Sequence, residues 1–188
     1  TEIYTLSLHD ALPISTGILA PRGGFQYHRK SALAKGVKPW TALLRKAGYY
    51  CANNSKTDYN FATVKGEAWN ESSRKASWHK RQEKKAPFFY MQSFAVCHES
   101  SLHFPAKLMQ SEKTKTPVDQ VTLHPYHPDT PTFRYTHARY FDRMTVVDAQ
   151  MGAVVEKLQA DGLLEDTFVF YFGDHGGVLP RGKGYAYE

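Results

Sequence analysis

Near its end the chain reads FVFYFGDHGGVLPRGKGYAYE, and the chemistry this stretch can do is concentrated in Asp174 and His175. A carboxylate beside an imidazole where a strand ends can ligate a divalent metal, and Gly176 and Gly177 let the backbone turn sharply and admit a ligand closely. Spacing alone leaves a plainer alternative, a turn in which Asp174 caps its own loop. Elsewhere the chain carries lysines and histidines, types that also serve catalysis. Lysine, with a pKa of about 10.4, serves as fixed positive charge, whereas histidine at about 6.5 can pass a proton near neutral pH. By residue type alone, a lone lysine is usually solvated and a lone histidine after a strand is more often a hydrogen-bonded structural residue. His103 lies further from a strand end than His98. His124 and His127 in LHPYHPD have a spacing that could line a substrate cleft or hold a metal, but a surface loop is the simpler reading.

Positioning such groups requires rigid elements. TFVFYFG is β-branched and aromatic throughout, the pattern of a central parallel strand buried on both faces. Before it, PTFRYTHARYFDRMTVVDAQMGAVVEKLQADG places Tyr140, Met144, Val147, Met151, Val154 and Leu158 at steps of 4, 3, 4, 3 and 4, which predicts a helix ended by Gly162. Helix, short loop, buried strand and polar residues at its carboxyl end together predict an open α/β sheet with a site where such sheets carry sites. Earlier, GVKPWTALLRKAGYY predicts a short helix. Pro39 lies at its start, Val37, Trp40, Leu43, Leu44 and Ala47 on one apolar face, and Gly48 at its stop. A buried strand is expected at residues 49–52 and another in PFFYMQSFAV, while ESSRKASWHKRQEKK between them reads as solvated. Residues 103–133 read as an irregular connection with short extended pieces.

Composition sets the outer limits. The 188 residues carry a formal charge of +6 with 41% hydrophobic and 14% aromatic content, ordinary for a globular chain with a sizeable core. No stretch is apolar enough for a membrane span, and no internal repeat is evident. The basic balance favours anionic partners. SSRKASWHKRQEKK, with Trp69 and Trp78 interleaved nearby, could hold nucleic acid or an acidic polysaccharide, yet no nucleic-acid motif accompanies it and charge runs usually form a solvated face. Cys51 and Cys97 show no metal-ligand spacing and read as core residues.

The opening residues behave differently. TEIYTLSLHDALPIS makes a poor strand, interrupted by Asp10 and Pro13, and a poor signal peptide, with no basic start and no apolar run. Residues 1–14 match without a gap the translation of a widely used short-read sequencing adapter. The expectation is that residues 1–15, with Ser15 as the junction, are adapter-derived and not native.

The C-terminal stretch FVFYFGDHGGVLPRGKGYAYE closely resembles the sulfatase family of the alkaline-phosphatase-like superfamily. LLRKAGYYCANNSKTDYNF, PFFYMQSFAVCHES and ARYFDRMTVVDAQMGAVVEKLQADGLLEDT resemble it too, in the family's order. The resemblance implies that residues 16–188 are a fragment of a sulfatase catalytic domain. The implied fold is α/β, a partial alkaline-phosphatase-like sandwich with a mainly parallel sheet flanked by helices, truncated at both ends. It implies Asp174 and His175 as metal ligands, Lys183 pointing at the substrate, Lys56 contacting sulfate and nucleophile, and His98 beside the bridging ester oxygen. Many sulfatases carry a histidine two positions after that lysine, where this chain has Asp58. Calcium is the metal the resemblance implies, although the nitrogen of His175 would suit zinc or manganese as well. The implied partner is a sulfated small molecule or sulfated glycan, with no nucleic acid.

Sulfatases act through a formylglycine made from Cys or Ser in a C/S-x-P/A-S-R signature whose tail commonly reads LTG. STGILAP resembles that tail and would place the nucleophile at position 7, where Ser7 is followed by Leu8, His9, Asp10 and Ala11 rather than the signature. The expectation is a fragment whose parent hydrolysed sulfate esters and which is itself inactive. The alternatives are a metal-dependent phosphodiesterase or phosphonate hydrolase of the same superfamily, and a basic anion-binding module.

Overall fold

The computed structural model describes residues 15–19, 22, 36–56, 66–173, 176, 177 and 179. Pro39 precedes helix α1, Trp40–Lys46, whose last turn carries Arg45 and Lys46 where cations suit the helix dipole. Gly48, at φ +92°, donates its N–H to the Arg45 carbonyl at 3.0 Å and turns the chain into the first strand. That strand, β1 (Tyr50–Asn54), lies between β2 (Glu71–Ser72) and β3 (Phe88–Gln92), both parallel to it. Ala52 pairs with Glu71 on one side, while Tyr50 faces Phe88 and Asn54 faces Gln92 on the other. Cys51, Ala52 and Asn53 are wholly buried, as a central parallel strand requires.

Aromatic packing consolidates this sheet. Trp40 meets Phe89 edge-on at 4.5 Å between centroids, and Trp69 stacks on Phe89 at 5.9 Å. Trp40 thereby rotates α1 so that Thr41 is buried and Leu43 is 58% exposed, reversing the expected place of Leu43 on the apolar face. The basic stretch before β3 is also not wholly solvated. Trp78 is 2% exposed, stacked on Phe88 and edge-on to Tyr90, and Arg81 is buried over the Phe88 ring.

The chain divides into two compact units, the sheet belonging to the first (1–93 with 171–174) and the long helix to the second (94–170 with 175–188). Helix α2 is a single turn, Leu108–Ser111, within the irregular connection, and α3 spans Pro131–Ala160. Thr130 caps α3 by accepting the Phe133 N–H, Pro131 occupies the first turn, and Gly162 at φ +68° follows the end. Val147, Val154 and Leu158 of the expected apolar stripe are buried, with Tyr140, Met144 and Met151 half-buried beside them.

Polar side chains on α3 organise the segment before it. Arg134 ion-pairs with Asp129 at 2.5 Å and donates to the Val121 carbonyl at 3.0 Å. The Tyr135 hydroxyl donates to the Glu112 carbonyl at 3.1 Å, and Arg139 pairs with the Glu112 carboxylate at 2.5 Å. Asp142 accepts the Lys115 N–H at 2.8 Å, the Thr116 N–H at 2.9 Å and the Thr116 hydroxyl at 2.8 Å. A strand-less segment cannot satisfy its backbone through a ladder, and these groups do so instead.

One expected element differs. Residues 167–172 form no strand, and Phe168 and Phe170 are 92% and 67% exposed. A composition suited to burial on both faces specifies a strand only where neighbours pair with it, and among the described residues the sheet ends at β2 and β3. No helix among the described residues is long and apolar enough to cross a membrane.

Two stability predictions follow from α3. Partial burial pulls the Asp142 carboxyl upward, but the Thr116 hydroxyl and the Lys115 and Thr116 amides outweigh it and hold the group below its usual range. Its contribution is therefore present above the unfolded carboxylate value of about 4 and lost as pH falls through the lower folded value. Asp142→Ala should lower unfolding stability by about 1.5–3 kcal/mol at pH 7 and by less at pH 3, read from urea titrations. Burial pushes His137 below its usual value, against the raising effect of its bond to the Phe133 carbonyl, with His127 and His124 adding to the depression. Below about pH 6.5 the unfolded chain binds a proton that the folded chain refuses, so stability falls with acidification. His137→Leu should flatten that dependence between pH 7 and pH 5.

Candidate active site

Lys56 lies two residues beyond the carboxyl end of β1. The strand is apolar through Cys51 and Ala52 and then turns polar at Asn53, Asn54 and Ser55, so the chain leaves the sheet there. The amide of Asn53 shapes that exit. Its Nδ2 donates to the Lys56 carbonyl and to the Ser72 hydroxyl, each at 3.0 Å, joining the end of β1 to its partner residue on β2. The Ser93 N–H donates to the Asn54 carbonyl at 2.9 Å, so the chain after β3 stays alongside the same exit.

His98 lies six residues beyond β3, between two 3₁₀ turns, Ala95–Cys97 and Glu99–Leu102. Its N–H donates to the Ala95 carbonyl at 3.0 Å, and its carbonyl accepts the Ser101 N–H at 2.8 Å. The ring is fixed as well: Nδ1 accepts the Ser100 N–H at 3.2 Å and lies 2.9 Å from the Ser100 hydroxyl. An Nδ1 that accepts from a backbone amide leaves the proton of the neutral ring on Nε2, the atom that can then donate outward. Arg139 donates to the Ser101 carbonyl at 3.4 Å and holds the second turn against α3. His103, just after that turn, is exposed.

Asp174, His175 and Lys183 lie outside the described residues, as does Asp58. Of the expected turn, Gly176 has φ +77°, the left-handed region glycine favours. A β-carbon on Gly177 would sit 3.3 Å from the Tyr140 hydroxyl. Among the described residues no three His, Cys, Asp or Glu side chains are grouped so as to hold a metal ion. His127, expected on a surface loop, is buried, its ring 4.8 Å from that of His137 and 5.3 Å from that of Phe133, while His124 stays exposed against Tyr126. No disulfide joins Cys51 and Cys97, and burial pushes the Cys51 thiol up to about 12, the property of an inert core residue. An open cavity of about 920 Å³ in the second unit is lined by Glu112, Pro117, Val118, Arg134 and Tyr135, among others, and includes neither Lys56 nor His98.

Sequence reasoning missed Asn53 and Ser100, the two residues that orient the candidate groups. The signal for Asn53 was legible: an amide in the middle of a buried strand must find partners, and the nearest polar backbone is the strand's own exit.

A small parallel sheet flanked by helices is a mixed α/β framework, consistent with a fragment of an alkaline-phosphatase-like fold. The chain matches the profile of the sulfatase family over residues 27–188 and belongs to that family. It is 36% identical, over an alignment of 219 positions, to an ulvan-active sulfatase of Formosa agariphila, covering 93% of this chain and 36% of that protein. The chain thus spans about a third of the length of that relative.

Asn53→Ala should cost about 0.5–1.5 kcal/mol of unfolding stability, since it removes the bonds to the Lys56 carbonyl and the Ser72 hydroxyl, and a urea titration at pH 7 reads the loss.

Proposed function

We propose that this chain is part of a sulfuric ester hydrolase whose parent cleaves sulfate monoesters of a small molecule or a glycan. The observation that carries the reading is the family match over residues 27–188. The positions of Lys56, two residues beyond β1, and His98, six residues beyond β3, support it. The ulvan activity named for the relative makes ulvan the first substrate to assay.

Cleaving the S–O bond puts negative charge on the departing oxygen, so fixed cations around the sulfate stabilise the transition state. Lys56 and Lys183 are assigned that role. His98 is the acid: as the imidazolium its Nε2 proton goes to the leaving alkoxide, and the neutral ring that remains has an Nδ1 able to accept the Ser100 N–H. Asp174 and His175 are the assigned metal ligands, and calcium is the first choice because the family generally uses it. One carboxylate and one imidazole do not complete the six to eight oxygen ligands calcium takes, so further ligands must come from other residues. A bound divalent ion supplies polarisation of the sulfuryl oxygens.

The nucleophile, formylglycine in this family, has no counterpart here: neither Ser7, Cys51 nor Cys97 stands in the required signature. Residues 1–15 are assigned to the adapter and residues 16–188 to the catalytic domain, and the chain as given is expected to release no sulfate from an aryl sulfate. In the complete reading frame, His98→Ala should lower kcat for an alkyl or sugar sulfate by about 10²–10⁴-fold, and by less for nitrophenyl sulfate, whose leaving group needs no proton. An unchanged kcat for the alkyl ester would remove His98 from the mechanism. A parent that cleaves phosphodiesters and not sulfates would replace the reading altogether.

A further inference from the structure

Between β2 and β3 the chain makes an excursion whose six cationic side chains, Arg74, Lys75, Lys80, Arg81, Lys84 and Lys85, face only two carboxylates, Glu71 and Glu83. It is a built platform. Trp78 anchors it in the core, and Ser77 caps the single 3₁₀ turn by accepting the His79 N–H at 3.2 Å. Arg81 points inward, donating to the Trp78 carbonyl at 2.7 Å and the Lys84 carbonyl at 3.0 Å. Lys84 donates to the His79 carbonyl at 3.1 Å, and further turns close at Ala76 and Ala86. Held on this frame, Arg74, Lys75, Lys80, Lys84 and Lys85 are exposed, and Arg74, Lys75 and Lys85 have no ion pair among the described residues.

We propose that the 72–86 excursion is a docking surface for a sulfated or carboxylated polysaccharide, outside the catalytic groups. A fixed frame lowers the entropy lost when a chain of anions binds, and the released counterions drive association. Nucleic acid fits less well. Trp78 is turned into the core and Trp69 is engaged with Phe89, so among the described residues of the excursion no tryptophan, tyrosine or phenylalanine face is left on which bases could stack. The proposal rests on the sulfatase reading for the kind of polyanion.

The test is fluorescence anisotropy of the 188-residue chain with labelled dextran sulfate over a salt series. Replacing Arg74, Lys75 and Lys85 together by Ala should weaken binding about tenfold or more at low salt and make the salt dependence shallower by about two in slope. A charge-matched control, Lys46→Ala with Lys107→Ala and Lys113→Ala, should leave both nearly unchanged. Should the triple variant lower the urea midpoint, Lys75→Gln and Lys85→Gln singly give the same ranking at smaller amplitude. Equal loss in both triple variants, no loss in either, equal binding of uncharged dextran, or equally tight and equally sensitive binding of random duplex DNA would each overturn the proposal. Because binding is read without turnover, a parent unable to release sulfate would sink the sulfatase reading and leave this result standing.

Discussion

The second unit depends on how the backbone of residues 94–130 is satisfied. That segment has no ladder to donate to, and an amide or carbonyl stranded away from water costs about as much as a lost hydrogen bond. Helix α3 meets the need with side chains that recur along its first three turns: Arg134 on the Val121 carbonyl, Tyr135 on the Glu112 carbonyl, Arg139 on the Ser101 carbonyl, Asp142 on two successive amides. One regular element therefore fixes many irregular turns. Among them is the turn just after His98, so the orientation of a candidate catalytic ring is secured from a helix that carries none of the chemistry.

How much of this could be read in advance varies with the length over which a pattern repeats. The apolar steps of α3 persist over five turns, and the helix forms with the stripe inward. Helix α1 has seven residues, too few for periodicity to decide its facing, and the contact of Trp40 with Phe89 decides it instead. Trp78 is buried although its neighbours are charged, because a single indole that reaches Phe88 and Tyr90 outweighs the polarity of a loop whose other side chains can stay in water. The aromatic run 167–172 shows the reverse limit: composition describes the surroundings a strand wants, and pairing requires that they be present.

For the site, the types of Lys56 and His98 admitted bland readings, and their selection came from resemblance across four stretches rather than from spacing. What the structure adds is local: an amide that ties Lys56's exit to β2, and a backbone N–H that chooses the tautomer of His98. Both are short-range consequences of the rule that buried or half-buried polar atoms seek partners. Asp174, His175 and Lys183 lie outside the described residues, so their placement stays with the family resemblance.

The paired glycines after His175 answer to unlike constraints. Gly176 is required by torsion, since its φ of +77° penalises any β-carbon whatever surrounds it. At Gly177 the limit is space, since a methyl there would sit 3.3 Å from the Tyr140 hydroxyl and that ring must give by a few tenths of an ångström. A lineage can escape the second constraint and not the first. Trimming the phenol at 140 opens room at 177, so drift at these two positions is coupled across thirty-seven residues of sequence, while position 176 can change only by remaking the turn.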